Sequence, residues 1–250
     1  MNAASELAAF DLLNELKPDL FIVISFGKLL KKNYLALPPL GAINVHASLL
    51  PKYRGASPMQ SVILNGEDHS GVCVMRMVEA LDSGPIQITE KIRLDERESI
   101  LTLEPKLSTL AAQTLMKSLA SIQAGTARWT EQESGQATYC GKIQKNDGKI
   151  NWVAKNAVEL DRQIRAYLAW PGSYTFYKTK RLLIKKCRPV NSARPSPRPG
   201  QISGITAEGI SVGTLKGDLL LEELQLEGRN PLAASELLKG CPLKAGELLE

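Results

Sequence analysis

No stretch of the sequence approaches the roughly 20 consecutive apolar residues that a membrane-spanning helix needs. The longest apolar run, residues 20–24, has the length of a strand. The residues after Met1 contain neither a charged leader nor a cleavable apolar core, so no export signal is expected. The four cysteines stand far apart without a C-x-x-C pair, which argues against a zinc site and favours reduced thiols. These absences predict a cytoplasmic protein that neither spans a membrane nor binds a metal.

The net charge of +5 is distributed unevenly along the chain. Residues 1–127 have 12 basic and 13 acidic side chains, a net of −1, and residues 201–250 have 4 and 8, a net of −4. Residues 142–200 have 14 basic and 3 acidic side chains, a net of +11. A concentrated block of positive charge favours a polyanionic partner, since solvated faces are usually mixed in sign.

Short apolar runs alternate with helical patterns in the first half of the chain, which indicates an α/β sheet. Strands are predicted over residues 20–24, 42–46, 72–77 and 87–94, and a long helix over residues 102–124. The continuous run at 20–24 is typical of a parallel strand buried on both faces. The chain starts with a helix where an open α/β sheet normally starts with a strand. We therefore expect the first strands of the domain to be absent and one sheet edge to need cover.

The second half of the chain has many short strand-like segments separated by Gly, Pro and Asn turns. They are predicted over residues 174–177, 182–184, 201–205, 209–212 and 219–226, with one late helix at 233–238. Many short strands in about 100 residues suggest a small barrel.

Asn44 and His46 are two residues apart on a predicted strand, so their side chains point to the same face of the sheet. Ligands of open α/β sheets bind at the carboxyl ends of strands, which makes this pair a candidate site. An isolated Asn-x-His pair is more often structural, and Asp82, followed by Ser-Gly-Pro, by itself favours a turn. The neighbouring sequence decides between these interpretations.

Three segments, in order, resemble the motifs of the formyltetrahydrofolate-dependent formyltransferase family. The first is Asn-Val-His-Ala-Ser-Leu-Leu-Pro at residues 44–51 with Tyr-Arg-Gly-Ala at 53–56, and the second is Leu-Asp-Ser-Gly-Pro-Ile at 81–86. The third comprises residues 147–152, Ile-Arg-Ala at 164–166 and Trp-Pro at 170–171. It is similar to the linker and C-terminal domain of the methionyl-tRNA formyltransferases, which usually have Asn-Pro where this chain has Leu168 and Ala169.

The resemblance implies an incomplete Rossmann-like catalytic domain followed by a small OB-like β-barrel that helps to hold initiator tRNA. We expect the catalytic domain at residues 1–127, a linker at 128–148 and the tRNA-binding domain at 149–250. The strand, turn and helix that open the family's catalytic domain, and its inserted basic loop, are expected to be missing. The implied reaction transfers the formyl group of 10-formyltetrahydrofolate to the amino group of methionyl-initiator tRNA, in a protein expected to be a monomer.

Asn44, His46 and Asp82 are the catalytic residues that the resemblance implies. Attack of the amine on the formyl carbon creates a tetrahedral oxyanion, which the amide and the imidazolium can stabilise by about 2.7–4 kcal/mol per donor. Asp82 can favour protonated His46 and relay a proton from the amine to the leaving nitrogen. The folate-binding residues implied are Ser48, Leu49, Leu50, Pro51, Phe26 and Gly27.

A strip of six cations within 11 residues contains no acid: Lys178, Lys180, Arg181, Lys185, Lys186 and Arg188. Such a strip would bind phosphates strongly with little sequence information, although lysines also protect exposed sheet edges. Together with the resemblance it predicts tRNA binding. Two alternatives remain open: a formyltransferase for another amine, such as an amino sugar on a nucleotide, and an inactive fragment that only binds RNA or folate.

Overall fold

The computed structural model describes residues 3–190 and 198–250, with side chains from residue 9 onward. The chain divides into two compact units. The first comprises Met1–Val62, Glu67–Asp95 and Leu103–Lys142, and the second comprises Ile63–Gly66, Glu96–Thr102 and Ile143–Glu250. The domain boundaries expected at residues 127 and 148 remain predictions. Within the described residues, no helix is both long and apolar enough to cross a membrane.

The first unit contains most of the helices. Its elements are α1 (Ala3–Leu16), β1 (Phe21–Val23), α2 (Lys32–Leu35), β2 (Ala42–His46), β3 (Arg54–Gly55), α3 (Pro58–Asn65), β4 (His69–Arg76), β5 (Ile86–Arg93), α4 (Ile100–Gln123) and β6 (Tyr139–Cys140). The end of α3 and the start of α4 belong to the second unit. β3 and β6 form a small parallel ladder of their own.

A four-stranded sheet in the order β1-β2-β4-β5 forms the centre of this unit. β1 and β2 are parallel, whereas β2 with β4 and β4 with β5 are antiparallel. The strands predicted from the sequence are present, and the expected α/β class is confirmed. β4 and β5 are antiparallel because only residues 77–85 connect them, and a parallel crossover needs a dozen or more residues.

The expectation that the strand at residues 20–24 is buried on both faces is wrong. β1 is an edge strand of the sheet, and Ile22 and Ile24 are 45% and 53% exposed. The buried centre lies farther along the sheet, where residues 72–75 of β4 are almost inaccessible to solvent. An apolar run predicts a strand, but its neighbours in space decide whether that strand is covered.

The second unit is a mostly antiparallel domain. Its elements are α5 (Ala157–Ala166), β7 (Ser173–Tyr177), β8 (Lys180–Val190), β9 (Ile202–Thr206), β10 (Gly209–Gly213), β11 (Asp218–Leu226), β12 (Leu232–Ala233) and α6 (Ala234–Gly240). The sheet has the order β7-β8-β11-β10-β9, and β12 pairs with β11.

The apolar core of the second unit lies between this sheet and α5. Leu160 and Ile164 of the helix pack against buried strand residues such as Leu182 and Leu219. All the strands predicted for this half are present, and the expected class of an α/β unit followed by a small β domain is confirmed. Among the described residues no ladder joins β7 to β9, so the sheet is open and does not form a closed barrel.

Candidate active site

Asn44 and His46 project from the same side of β2. The strand register pairs Asn44 with Met75 and His46 with Cys73, both on β4. Val45, between them, is buried on the opposite side. The alternation of the strand therefore presents the amide and the imidazole together.

The His46 ring lies between a carbonyl and a carboxylate and is only 6% exposed. Nε2 is 2.9 Å from the carbonyl oxygen of Tyr53. Because a carbonyl can only accept, Nε2 carries a proton and donates it. Nδ1 is 3.8 Å from Oδ2 of Asp82, which is too long for a hydrogen bond but close enough for two charges to interact. A second proton, on Nδ1, would therefore face a carboxylate.

Tyr53 presents its carbonyl from a left-handed backbone conformation with φ of 61°. Its N–H donates to Oγ1 of Thr138 at 2.9 Å, and its hydroxyl donates to Oε1 of Glu67 at 2.7 Å. The hydrogen bond from Tyr53 lowers the pKa of Glu67, burial opposes this, and Lys52 lowers that pKa further. These contacts hold a conformation that residues other than glycine rarely adopt, and they fix the acceptor for His46.

Asp82 lies on the loop between β4 and β5 and also has a left-handed backbone, with φ of 46°. Its Oδ2 accepts a hydrogen bond from the N–H of Gly55 at 2.8 Å. Residue 55 must be glycine, because its φ is 122° and a Cβ there would lie 2.1 Å from the carbonyl oxygen of Cys140. The backbone of β3 therefore holds the carboxylate beside the imidazole.

Asn44 and Asp82 line one small cavity of about 70 Å³. A larger, mainly apolar cavity of about 560 Å³ lies beside β1 and shares Val23, Phe26 and residues 28–30 with the small one. Phe26, a predicted folate-binding residue, thus borders both cavities. Neither lining includes Gly27 or residues 48–51.

Residues 48–51, the other predicted folate-binding residues, form a turn after β2. Ser48 is fully buried, and its hydroxyl donates to a backbone carbonyl at the end of the turn at 2.7 Å. Leu50 packs into a buried cluster with β4. Leu49 and Pro51 are half-buried, so they present most of the side-chain surface that the turn offers.

The six predicted tRNA-binding cations fall into two groups. Arg188 lies 2.5 Å from Glu208 and 3.4 Å from Glu222, and Lys186 lies 3.6 Å from Glu222. Glu222 lies in β11 and Glu208 in the turn before β10. Because both are distant from β8 in the sequence, the sequence of β8 alone does not predict these ion pairs. Among the described residues, four cations of the strip have no carboxylate within 4 Å: Lys178, Lys180, Arg181 and Lys185.

The four cysteines are free thiols, three of them buried. Burial raises the pKa of Cys73, Cys140 and Cys187, and the nearby charge of Asp82 adds to the effect at Cys140. The thiolate form that reacts or binds metals is therefore disfavoured. In the part of the chain that the structure describes, no group of three His, Cys, Asp or Glu side chains could hold a metal ion.

Three groups around the site were missed by sequence reasoning. Two are backbone groups, the carbonyl of Tyr53 and the N–H of Gly55, and the third is the side chain of Gln132, which contacts the loop of Asp82. Tyr53 and Gly55 belong to the Tyr-Arg-Gly-Ala segment, and the resemblance of this segment to a family motif could have indicated both residues. Gln132 lies in a polar stretch without any periodic pattern.

Two family models match the chain. The formyl transferase model matches residues 1–119, and the model of the formyl transferase C-terminal domain matches residues 142–242. A curated relative, the methionyl-tRNA formyltransferase of Caldicellulosiruptor saccharolyticus, is 37% identical over 241 residues. The match covers 96% of this chain and 76% of that relative.

Solved structures share the fold. HypX from Aquifex aeolicus, in complex with tetrahydrofolic acid, matches 96% of this chain with a TM-score of 0.67 and 16% identity, and the chain spans 44% of HypX. WlaRD, a sugar 3N-formyl transferase solved with dTDP and 5-N-formyl-THF, matches 87% of this chain and 77% of its own, with a TM-score of 0.66 and 20% identity. At these identities the likeness concerns the fold alone.

Proposed function

The chain belongs to the methionyl-tRNA formyltransferase family, and we propose that it transfers the formyl group of 10-formyltetrahydrofolate to the amino group of methionyl-initiator tRNA. The product is the charged tRNA with which translation is initiated. The observation that carries the proposal is the approach of His46 Nδ1 to Asp82 Oδ2 at 3.8 Å, beside a cavity that Asn44 and Asp82 line together.

Asn44 is the proposed oxyanion donor. Its side-chain amide has no hydrogen-bond partner among the described residues and borders the small cavity, so its N–H groups remain available to a substrate oxygen. A preorganised donor of this kind stabilises a developing oxyanion by about 2.7–4 kcal/mol.

His46 and Asp82 are proposed to supply the second donor and the proton transfer. Because Nε2 is engaged by the Tyr53 carbonyl, Nδ1 is the nitrogen that can gain and lose a proton during the reaction. The carboxylate of Asp82 stabilises the imidazolium and takes up the proton of the attacking amine, directly or through one water. The same proton is then passed to the leaving nitrogen.

The formyl donor is proposed to bind in the two cavities that meet at Phe26. The larger one, about 560 Å³, lies within the usual range of small-molecule sites, and its apolar walls suit the pterin and aminobenzoyl rings. Phe26 lines both cavities and Gly27 follows it in the chain, and we propose that the turn at 48–51 after β2 contributes the surface of Leu49 and Pro51. This family of reactions takes the folate as a substrate, and the proposed chemistry requires no metal.

The tRNA is proposed to bind through the cations of β8 and the turn before it. Lys178, Lys180, Arg181 and Lys185 are the better candidates, because Lys186 and Arg188 already have carboxylate partners. We further propose that the protein acts as a monomer in the cytoplasm. Light scattering of the purified protein and fractionation of cells test these two statements.

The deciding experiment is an assay of purified wild type, His46→Ala and His69→Ala with 10-formyltetrahydrofolate and methionyl-initiator tRNA. His69, the other histidine of the chain, begins β4 and lines neither cavity, so His69→Ala is the control. Wild type and His69→Ala are expected to formylate the tRNA, and His46→Ala to be slower by about 10²-fold or more. Binding of tRNA without formylation by the wild type would support an inactive RNA-binding protein instead. Faster formylation of an amino-sugar nucleotide than of the tRNA would support the other acceptor.

A further inference from the structure

The side-chain amide of Gln132 connects the loop of Asp82 to a buried arginine. Its Oε1 accepts hydrogen bonds from Nε and Nη2 of Arg54 at 3.1 and 2.7 Å. Its Nε2 donates to the carbonyl oxygens of Asp82 and Gly84 at 2.9 and 2.7 Å. These four bonds use the whole hydrogen-bonding capacity of the amide.

The partners of Gln132 permit only one orientation of its amide. A guanidinium only donates and a carbonyl only accepts, so Oε1 must face Arg54 and Nε2 must face the loop. Arg54 is 4% exposed, and its other side-chain partner is the hydroxyl of Tyr139 at 3.4 Å. Since no carboxylate among the described residues lies within 4 Å of Arg54, this buried cation depends on the oxygen of Gln132.

The left-handed backbone of Asp82 is uncommon for a residue with a side chain, although aspartate adopts it more readily than most, so contacts that hold the loop favour this conformation. Strained conformations of this kind persist where the surrounding contacts hold them. Gln132 holds the backbone carbonyl of Asp82, and the N–H of Gly55 holds its carboxylate at 2.8 Å. Gln132 is bonded to Arg54, and Gly55 is the next residue, so both groups that hold Asp82 depend on β3.

We infer that Gln132 is a positioning residue, which holds Asp82 where its carboxylate meets His46. The inference rests on the proposed function and adds a residue to its machinery. Gln132 does not line the cavity that Asn44 and Asp82 share, so it acts through Asp82 and not on the substrate. The competing explanation is that Gln132 stabilises the fold without influencing the reaction.

Two substitutions distinguish the contribution of the amide oxygen of Gln132 from that of its NH₂ group. Gln132→Met removes all four hydrogen bonds with an uncharged side chain of similar size. Gln132→Glu keeps an acceptor for Arg54 but has no donor for the carbonyls of Asp82 and Gly84. Gln136→Met is the matched control, because Gln136 is exposed and, among the described residues, its amide is bonded only to the side chain of Glu133.

We expect both Gln132 variants to remain folded and to lower kcat by about 10- to 100-fold, with KM for the folate donor changed less than about threefold. The control is expected to have wild-type kinetics. Wild-type kcat in Gln132→Glu would overturn the inference, because that variant loses the contacts to the loop and keeps the contact to Arg54.

A double-mutant cycle with Asp82→Asn distinguishes positioning from general stabilisation. If Gln132 acts through Asp82, then Gln132→Met should lower kcat by less than about threefold in the Asp82→Asn background, since coupled residues are not additive. An equal loss in both backgrounds would mean that Gln132 acts independently of Asp82, and would overturn the inference.

A third measurement does not depend on activity, so it separates failure of the inference from failure of the proposed function. In Gln132→Met the amide proton of Gly55 should exchange with D₂O about three- to tenfold faster than in wild type, because its carboxylate acceptor is displaced. In Gln136→Met its exchange should not change. Unchanged exchange in Gln132→Met would overturn the inference, whether or not the protein formylates tRNA.

Discussion

His46 and Asp82 approach each other without a direct hydrogen bond, Nδ1 lying 3.8 Å from Oδ2. The same carboxylate oxygen accepts the N–H of Gly55 at 2.8 Å, and the other ring nitrogen donates to the carbonyl of Tyr53 at 2.9 Å. Each partner is thus held by the backbone and not by the other partner. When Nδ1 of His46 is protonated, the carboxylate of Asp82 is therefore already positioned beside it.

Replacement of Asp82 by asparagine tests the charge of this carboxylate. The amide oxygen of asparagine can still accept the N–H of Gly55, so Asp82→Asn should remain folded. A neutral amide neither stabilises the imidazolium nor takes up a proton, so kcat should fall by about 10²- to 10⁴-fold.

Initial rates at saturating tRNA, with thermal melting as a check of folding, measure the effect of Asp82→Asn. Asp95→Asn makes the same change of charge at a side chain that is 78% exposed and paired with Lys106, and it should retain wild-type kcat. Wild-type kcat in Asp82→Asn would remove the carboxylate from the mechanism.

The packing of Gly55 predicts a loss of stability on adding one methyl group. A Cβ at this position would lie 2.1 Å from the carbonyl oxygen of Cys140, at a φ of 122°. Gly55→Ala should therefore lower the free energy of unfolding by about 1–3 kcal/mol. Gly135→Ala, where a Cβ meets nothing within 4 Å, should change it by less than about 0.5 kcal/mol. Urea unfolding compares the two, and equal stabilities would contradict the packing argument.

The contact between Tyr53 and Glu67 predicts a stability difference that depends on pH. The hydrogen bond from Tyr53 lowers the pKa of Glu67 below its ordinary value of 4.5. A carboxyl group whose pKa is lower in the folded state stabilises the fold above its unfolded pKa and loses this contribution as the pH falls through the folded pKa.

Glu67→Gln should therefore be less stable than wild type at neutral pH and equally stable in acid. Since the side chain of Glu67 is 32% exposed, the difference at neutral pH should be below about 1 kcal/mol. It should decrease as the pH falls below the ordinary pKa of 4.5 and vanish once the pH is below the lowered pKa of the folded state, where the carboxyl group is protonated in both states. Urea unfolding across this pH range measures it, and a difference that persists in acid would contradict the assignment.

The two groups of cations on β8 should contribute differently to tRNA binding. Lys180→Ala should reduce the slope of log K against log salt by about 0.7–0.9, as expected for one lost phosphate contact. Lys186→Ala should reduce it by less than half as much, because Glu222 lies 3.6 Å from its ammonium group. Binding at several salt concentrations measures both slopes, and equal reductions would mean that the ion pair opens on binding.

Much of the fold follows from local patterns in the sequence. The strands from β7 to β11 are bounded by Gly, Pro and Asn turns, and alternation along β2 puts Asn44 and His46 on one face. These features depend on residues close together in the chain. The groups that complete the site do not, since Gln132 reaches the carbonyl of Asp82 from 50 residues away.

The sequence by itself predicted most of the strands and the common face of Asn44 and His46, because strand alternation is a local property. The resemblance of its motifs to a known family predicted which side chains perform the chemistry. Only the tertiary structure decided that β1 is an exposed edge, that Lys186 and Arg188 are paired with acids, and that the backbone N–H of Gly55 in β3 holds the carboxylate of Asp82. Burial and hydrogen bonding involve residues that are distant along the chain, and local sequence patterns do not predict which distant residues come into contact.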